Sequence, residues 1–205
     1  MFESSESLLA AAFVLGFTAG ISPGVLFALI ISESIQHGAK AGIKVAIAPF
    51  ITDLPIVLLS LFVFQQLSQV NLLLALISFA GGLYLAWLGY KNIVTIPDFS
   101  NEVVKSNSIR KGVVANFLAP GPYVFWMSLG APLLTEAFNL SVLTGALFII
   151  IFYTFLVGMK ITIAIITANV KKFIGGRVYV MTVKILGMVL IGLGVLYIYN
   201  GYLKL

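Results

Sequence analysis

Six stretches of this sequence are long, apolar and almost free of charge. Residues 8–32, 72–90, 112–135 and 185–203 contain no Asp, Glu, Lys or Arg. Residues 45–64 contain one such residue, Asp53, and residues 140–169 contain one, Lys160. About 20 apolar residues, rising about 1.5 Å each, cross a hydrocarbon core about 30 Å thick. Each stretch is long enough to do so as a helix. Spanning strands would read as segments of about ten residues with alternating polarity, a pattern these stretches lack. The expected fold is therefore an all-α membrane protein with six transmembrane helices. Composition agrees, because 9% charged residues, against roughly 25% in a soluble domain, are too few to cover a surface that faces water.

The basic residues give an orientation. Lys40 and Lys44 follow the first stretch, Lys91, Lys105, Arg110 and Lys111 follow the third, and Lys171, Lys172, Arg177 and Lys184 follow the fifth. The connection after the second stretch, with Gln65, Gln66, Gln69 and Asn71, has no basic residue, and the one after the fourth has only Glu136. Ten of the 12 Lys and Arg residues thus fall on one side; Lys204 is on the other and Lys160 lies within the membrane. Positive residues favour the cytoplasmic side, so both termini are expected outside. The first stretch is expected to be a retained span and not a cleaved leader. It is too long, and Glu3 and Glu6 precede it where a leader carries positive charge. The net charge of +5 is a property of these connections and does not point to nucleic acid. The absence of cysteine rules out thiol redox chemistry, disulfides and thiolate metal sites.

One long polar connection, residues 92–111 with Pro97, Asp98, Asn101, Asn107 and Ser108, divides a single transmembrane domain into two halves, about 8–91 and 112–203. It is expected in the cytoplasm. Three spans per half is an odd number, so a second copy of the first half would lie inverted in the membrane, as in many secondary transporters. Equivalent spans of the two halves carry matched interruptions: Ser22-Pro23-Gly24 in the first and Ala119-Pro120-Gly121-Pro122 in the fourth. Proline removes a backbone donor and clashes with the preceding turn. In lipid the freed backbone groups need partners, so such breaks persist where they are buried in protein or line a wet cavity. A broken helix also turns its polar ends toward that cavity, where they can hold a carboxylate or a cation. A simple packing kink is the structural alternative.

The two intramembrane charges again sit on equivalent spans, the second and the fifth. A charge at the bilayer centre costs at least about 2.5–3.5 kcal/mol on insertion scales. Asp53, between Pro49 and Pro55, is expected to bind a substrate amine or a coupling proton. Lys160 is expected to supply the counter-charge or engage a carboxylate. A mutual ion pair that only fixes the bundle is the alternative. Asn116 and Ser22, beside the breaks, are candidates for capping exposed backbone or meeting substrate, and Thr52 for bonding back to its own helix. Gly16 and Gly20 read as helix packing, Gly24 as part of the break, and Gly187, Gly192 and Gly194 as packing or dimer contacts. Tyr84, Trp87 and Tyr90, and likewise Tyr197, Tyr199 and Tyr202, read as interfacial belts. The single histidine, His37, reads as a solvated loop residue, since metal sites want several ligands together.

These residues resemble the lysine exporter (LysE/RhtB) family of amino-acid exporters. The resemblance lies in Ser22-Pro23-Gly24 followed by Gly38, Lys40, Gly42 and an Asp in the second span, in residues 81–90 (GGLYLAWLGY), and in residues 116–126 (NFLAPGPYVFW). It covers about residues 8–130 closely and the last two spans by pattern. It implies a cytoplasmic-membrane exporter of amino acids or their derivatives, drive by the proton motive force, and a homodimer. Many members have Pro and Asn where Val25 and Leu26 stand, and polar residues where Ala119 and Gly121 stand, so a basic amino acid is not the default cargo. The site residues this reading assembles are Asp53, Lys160, Ser22, Pro23, Gly24, Asn116, Pro120, Gly121 and Pro122, with no cofactor, metal or catalytic residue. Two other readings stay open. A cation transporter of related fold would want several embedded carboxylates, and a non-transporting membrane scaffold would need neither breaks nor interior charges.

Overall fold

The structure is a computed structural model that describes residues 4–63, 70–94, 107–170 and 176–203. Helices make up nearly all of it, and the described residues contain no strand. Three runs are long and apolar enough to cross a membrane: Ala39–Ser60, Val142–Val170 and Val180–Tyr202. Two more form bent pairs, Ser5–Ile21 with Val25–His37 at 54° and Ser108–Phe117 with Pro120–Leu140 at 51°. Counting each bent pair as one span gives five. The third expected span falls in a further helix of 25 residues, Val70–Val94.

In chain order the elements are α1 (Ser5–Ile21), α2 (Val25–His37), α3 (Ala39–Ala46), α4 (Ala48–Val63), α5 (Val70–Val94), α6 (Ser108–Phe117) and α7 (Pro120–Phe125). A π-helical turn at Trp126–Gly130 joins α7 to α8 (Ala131–Leu140), and α9 (Val142–Val170) and α10 (Gly176–Tyr202) complete the chain. Both expected interruptions are present. Proline disfavours the helical conformation in the residue before it, and Ser22 and Ala119 each take an extended ψ of 127°.

Helix ends differ from the expected connections. Lys40 and Lys44 lie in α3, separated from α2 only by Gly38, which takes the left-handed φ of +83°. Lys91 lies in α5, Arg110 and Lys111 in α6, and Arg177 and Lys184 in α10. Lys and Arg are good helix formers, so helices run on past their apolar stretches into charged sequence. Gln65, Gln66, Gln69, Pro97, Asp98, Asn101, Lys105, Lys171, Lys172 and Lys204 lie outside the described residues.

Glycines set the closest approaches. Gly16 lies against the Phe152 backbone of α9, and a Cβ on Gly20 would come within 2.7 Å of Met159 Cβ and 2.9 Å of the Phe155 carbonyl oxygen. With a Ser5–Thr144 hydroxyl contact of 3.1 Å at their first turns, α1 and α9 run parallel. Between α5 and α10, Gly82 faces Gly194 and Gly89 faces Gly187, so these two run antiparallel. Gly192 has nothing within 4 Å and is not part of this contact. The α6–α8 segment packs on α3 and α4.

Two buried apolar clusters result. One joins α2, α3, α5, α6 and α10 through residues such as Leu29, Ile30, Val45, Leu85 and Leu190. The other joins α1, α4, α7, α8 and α9 through Leu8, Ile56, Tyr123, Phe148 and Phe152. Large apolar side chains such as Leu54, Leu83, Val142 and Leu143 are exposed on the outside, a surface suited to lipid. A Cβ on Gly82 would lie 2.6 Å from the Gly194 carbonyl oxygen. Gly82→Val should therefore destabilise the detergent-extracted protein by about 1–3 kcal/mol. Gly192→Ala should leave melting unchanged or slightly raised, since Ala is the better helix former. Thermal unfolding of the two variants beside wild type checks this.

Candidate functional site

Where the two breaks approach each other, between the two apolar clusters, lies a cavity of about 470 Å³. Ser22, Pro23 and Gly24 of the first break line it, as do Ala119, Gly121 and Pro122 of the second. Asp53, Asn116 and Lys160 line it too, so eight of the nine expected site residues share one space. The exception is Pro120. It is the first residue of α7 and not part of the lining, at a position where a missing backbone donor costs nothing. A Cβ at Gly24 or Gly121 would meet nothing within 4 Å, so both glycines leave room beside the breaks.

The breaks dictate the local chemistry. Where α1 stops, the carbonyls of its last turn lose their helical donors. The Lys160 ammonium, 6% exposed, donates to Ala19 O at 3.1 Å and Gly20 O at 3.4 Å. Where α6 stops, the Tyr123 hydroxyl donates to Phe117 O at 2.8 Å, while Gly81 lets α5 sit against the Leu118 carbonyl. Each break is thus capped by a side chain, the first from the distant α9 and the second from α7 just across the break. At the start of α2 no side chain caps the first amides, and the next backbone bond runs from Ala28 N to Gly24 O at 3.0 Å.

Asp53 is 4% exposed. Its Oδ1 lies 3.3 Å from the donor Asn116 Nδ2 and 3.4 Å from Thr52 Oγ1. Its Oδ2 accepts from the Tyr153 hydroxyl at 3.1 Å, and the Trp126 indole is also beside it. Asn116 also donates to Thr52 Oγ1 at 2.5 Å, and Thr52 donates back to Ala48 O at 3.1 Å. Asn116 therefore serves the carboxylate and not the broken backbone. The structural alternative for the two charges, a mutual ion pair, is not formed, because the salt bridges among described residues all involve Glu33. The rest of the cavity wall is mostly apolar, with Leu15, Leu26, Phe125, Leu129, Phe152 and Leu156, and Thr18 and Tyr197 add hydroxyls. Two wall residues, Trp126 and Leu129, belong to the π-helical turn, a local geometry found often at functional sites.

Three readings need correction. Tyr197 lines the cavity and Tyr84 packs on a buried cluster, so neither belongs to an outer belt; Trp87, Tyr90, Tyr199 and Tyr202 are exposed. His37 ends α2 with its Nδ1 3.5 Å from Glu33 Oε2, so it is part of a cluster and not a solvated loop residue. Glu33 itself lies one residue past the first charge-free stretch and was not singled out. It is 1% exposed, its Oε2 accepts from Ser108 Oγ at 2.6 Å, and its Oε1 pairs with Lys111. A buried carboxylate demands partners, so a Glu immediately after 25 uncharged residues was the available signal. Among the described residues no group of three or more His, Asp or Glu could hold a metal ion.

A multi-pass helical bundle with two proline-broken members meeting at a central cavity is the construction of a membrane transporter. The sequence matches the family described as LysE type translocator over residues 17–201, and the chain belongs to that family. No curated protein and no solved structure matches it.

Removing the cap at the first break should cost stability. Lys160→Met leaves the Ala19 and Gly20 carbonyls without their donor, at about 1–3 kcal/mol. Tyr123→Phe should act in the same direction at about 1 kcal/mol. Melting in detergent reports both, and wild-type midpoints would show that the caps carry no stability.

Proposed function

We propose that this chain is a secondary transporter that exports amino acids or their derivatives across the cytoplasmic membrane, coupled to protons. The observation that carries the reading is the shared cavity of Asp53, Lys160 and the two broken helices in a member of a translocator family. Asp53 takes the substrate amine or the coupling proton. Lys160 caps α1 and presents its positive charge to a substrate carboxylate, together with the first amides of α2. Support for the amino-acid reading is chemical, since one anion and one cation in an apolar cavity complement an α-amino acid.

The reading includes six spans, with α5 as the third, arranged as two inverted halves with both termini outside. α5 is about 37 Å long at about 1.5 Å per residue, enough to cross a membrane. The packing supports the inversion. A two-fold axis exchanging the halves would swap α1 on α9 for the α6–α8 segment on α3 and α4, and both pairs are in contact. The same axis would exchange α5 with α10, and those two face each other through paired glycines. The bends of 54° and 51° then occupy equivalent places.

The test is efflux from proteoliposomes loaded with a panel of labelled amino acids, with and without a pH gradient. Wild type should export at least one amino acid, faster with the gradient. Asp53→Asn should slow export about 10- to 100-fold, the size expected for losing a charge-assisted contact. Full export by Asp53→Asn with an unchanged response to the gradient would overturn the role given to Asp53. A wild-type chain that moves no compound would favour a scaffold.

A further inference from the structure

We infer that the cargo is a neutral zwitterion with an apolar side chain, aliphatic or aromatic, an inference that rests on the transport reading above. Charge balance comes first. All partners of Asp53 are neutral: Thr52, Asn116, Tyr153 and Trp126. Those of Lys160 are backbone carbonyls. Hydrogen bonds solvate both charges, and the two attract each other across the cavity without meeting in an ion pair. No other charged residue lines the cavity, so it offers one place for a cation and one for an anion. An α-ammonium and an α-carboxylate fill both. A lysine side chain would bring a second ammonium with no carboxylate to meet it, and a glutamate side chain a second carboxylate with no cation. Burying an unpaired charge is heavily disfavoured.

The chemistry of the wall points to the side chain. What remains around the charges is mostly Leu15, Leu26, Phe125, Leu129, Phe152 and Leu156, with the hydroxyls of Thr18 and Tyr197 as the exceptions, so most of the wall rewards apolar contact. The volume of about 470 Å³ falls within the range of about 300–1,000 Å³ typical of small-molecule pockets.

The test uses proteoliposomes loaded with equal concentrations of leucine, phenylalanine, lysine and glutamate. Leucine or phenylalanine should leave at least about tenfold faster than lysine and glutamate, the discrimination expected from one unpaired buried charge. Isopentylamine and 4-methylpentanoate, which each keep only one of leucine's charges, should compete poorly with it. Leu129→Glu adds a second carboxylate to the wall and should raise lysine export relative to leucine. Lysine leaving as fast as leucine from wild type, or single-charge analogues competing as well as leucine, would overturn the substrate class while leaving transport standing. No export of any compound would overturn the transport reading and this one with it.

A separate observation assigns a role to the cluster that the cavity does not use. We infer that Glu33 with Ser108 and Lys111 forms the latch that keeps the cavity closed on the cytoplasmic side. The cluster ties α2 to α6, which are the halves of the two broken spans on that side. Between it and the cavity lining at Phe27 stand Leu29 and Ile30, 2% and 0% exposed. A second tie joins α2 to α5 at the adjacent residue, where Ser32 Oγ accepts from Asn92 at 2.8 Å and also from Gln36 of its own helix at 2.6 Å. Cargo leaving the cytoplasm must enter past this plug, so these bonds must break in each cycle. The chain has no cysteine, so Ile30→Cys provides a unique label site. In inside-out vesicles a membrane-impermeant maleimide should label Ile30→Cys slowly. Adding Glu33→Gln or Lys111→Met should speed labelling at least about tenfold, the loss expected for one buried charged bond. The exchange Glu33→Lys with Lys111→Glu should restore slow labelling. Unchanged labelling in both single-charge variants, with folding confirmed by gel filtration, would overturn the latch.

Discussion

A helix that ends inside an apolar bundle leaves carbonyls that water cannot reach, and the protein itself must satisfy them. That requirement organises this structure. Two spans are broken by proline, and each freed carbonyl end is met by one side chain, from a distant helix at the first break and from across the break itself at the second. Lys160 reaches α1 from α9 across 141 residues of sequence, and Tyr123 reaches Phe117 across the second break. The positions of α9 against α1 and of α5 against the second break follow from the same need. Gly16, Gly20 and Gly81 remove the side chains that would hold those backbones apart.

The remaining packing separates a frame from a seam. α5 and α10 meet through glycines, with backbone close to backbone, a contact whose strength lies in dispersion. The two apolar clusters fill either side of the breaks, and the cavity occupies the seam between them. Polar bonds are concentrated at two levels, around Asp53 and around Glu33. A chain with 9% charged residues has thus placed three of its charges, Asp53, Lys160 and Glu33, where they are nearly inaccessible and each engaged in bonds.

Much of this was legible in the sequence. Charge-free stretches located the apolar parts of the long helices and of the two bent pairs. Prolines at residues 23 and 120 located the breaks, because a proline's effect on its own helix is local. Asp53 and Lys160 were conspicuous because a charge within an apolar run has few explanations. What sequence did not reveal depends on contacts between distant segments. That Lys160 serves backbone before it serves any ligand, and that Tyr197 turns inward from a presumed belt, is decided by which helix lies opposite. Helix ends were misplaced for another reason: solvated Lys and Arg continue a helix as well as Leu does, so loss of apolar character marks the edge of the membrane and not the end of the helix. Glu33 stood at such an edge and was passed over for it.

The cap on α1 also bears on how the protein is made. Membrane chains are synthesised from the N-terminus onward, and early segments meet lipid before later ones exist. When the first break has left the ribosome, its capping lysine, far along the sequence at residue 160, is still untranslated. Until then α1 and α2 must find temporary partners, in water at the bilayer edge or in the insertion machinery. The first half of this chain is therefore not a small transporter awaiting a copy of itself. It is an incomplete object whose first helix is finished only when α9 arrives, so a natural split or fusion of the two halves would have to keep Lys160 in reach of Ala19.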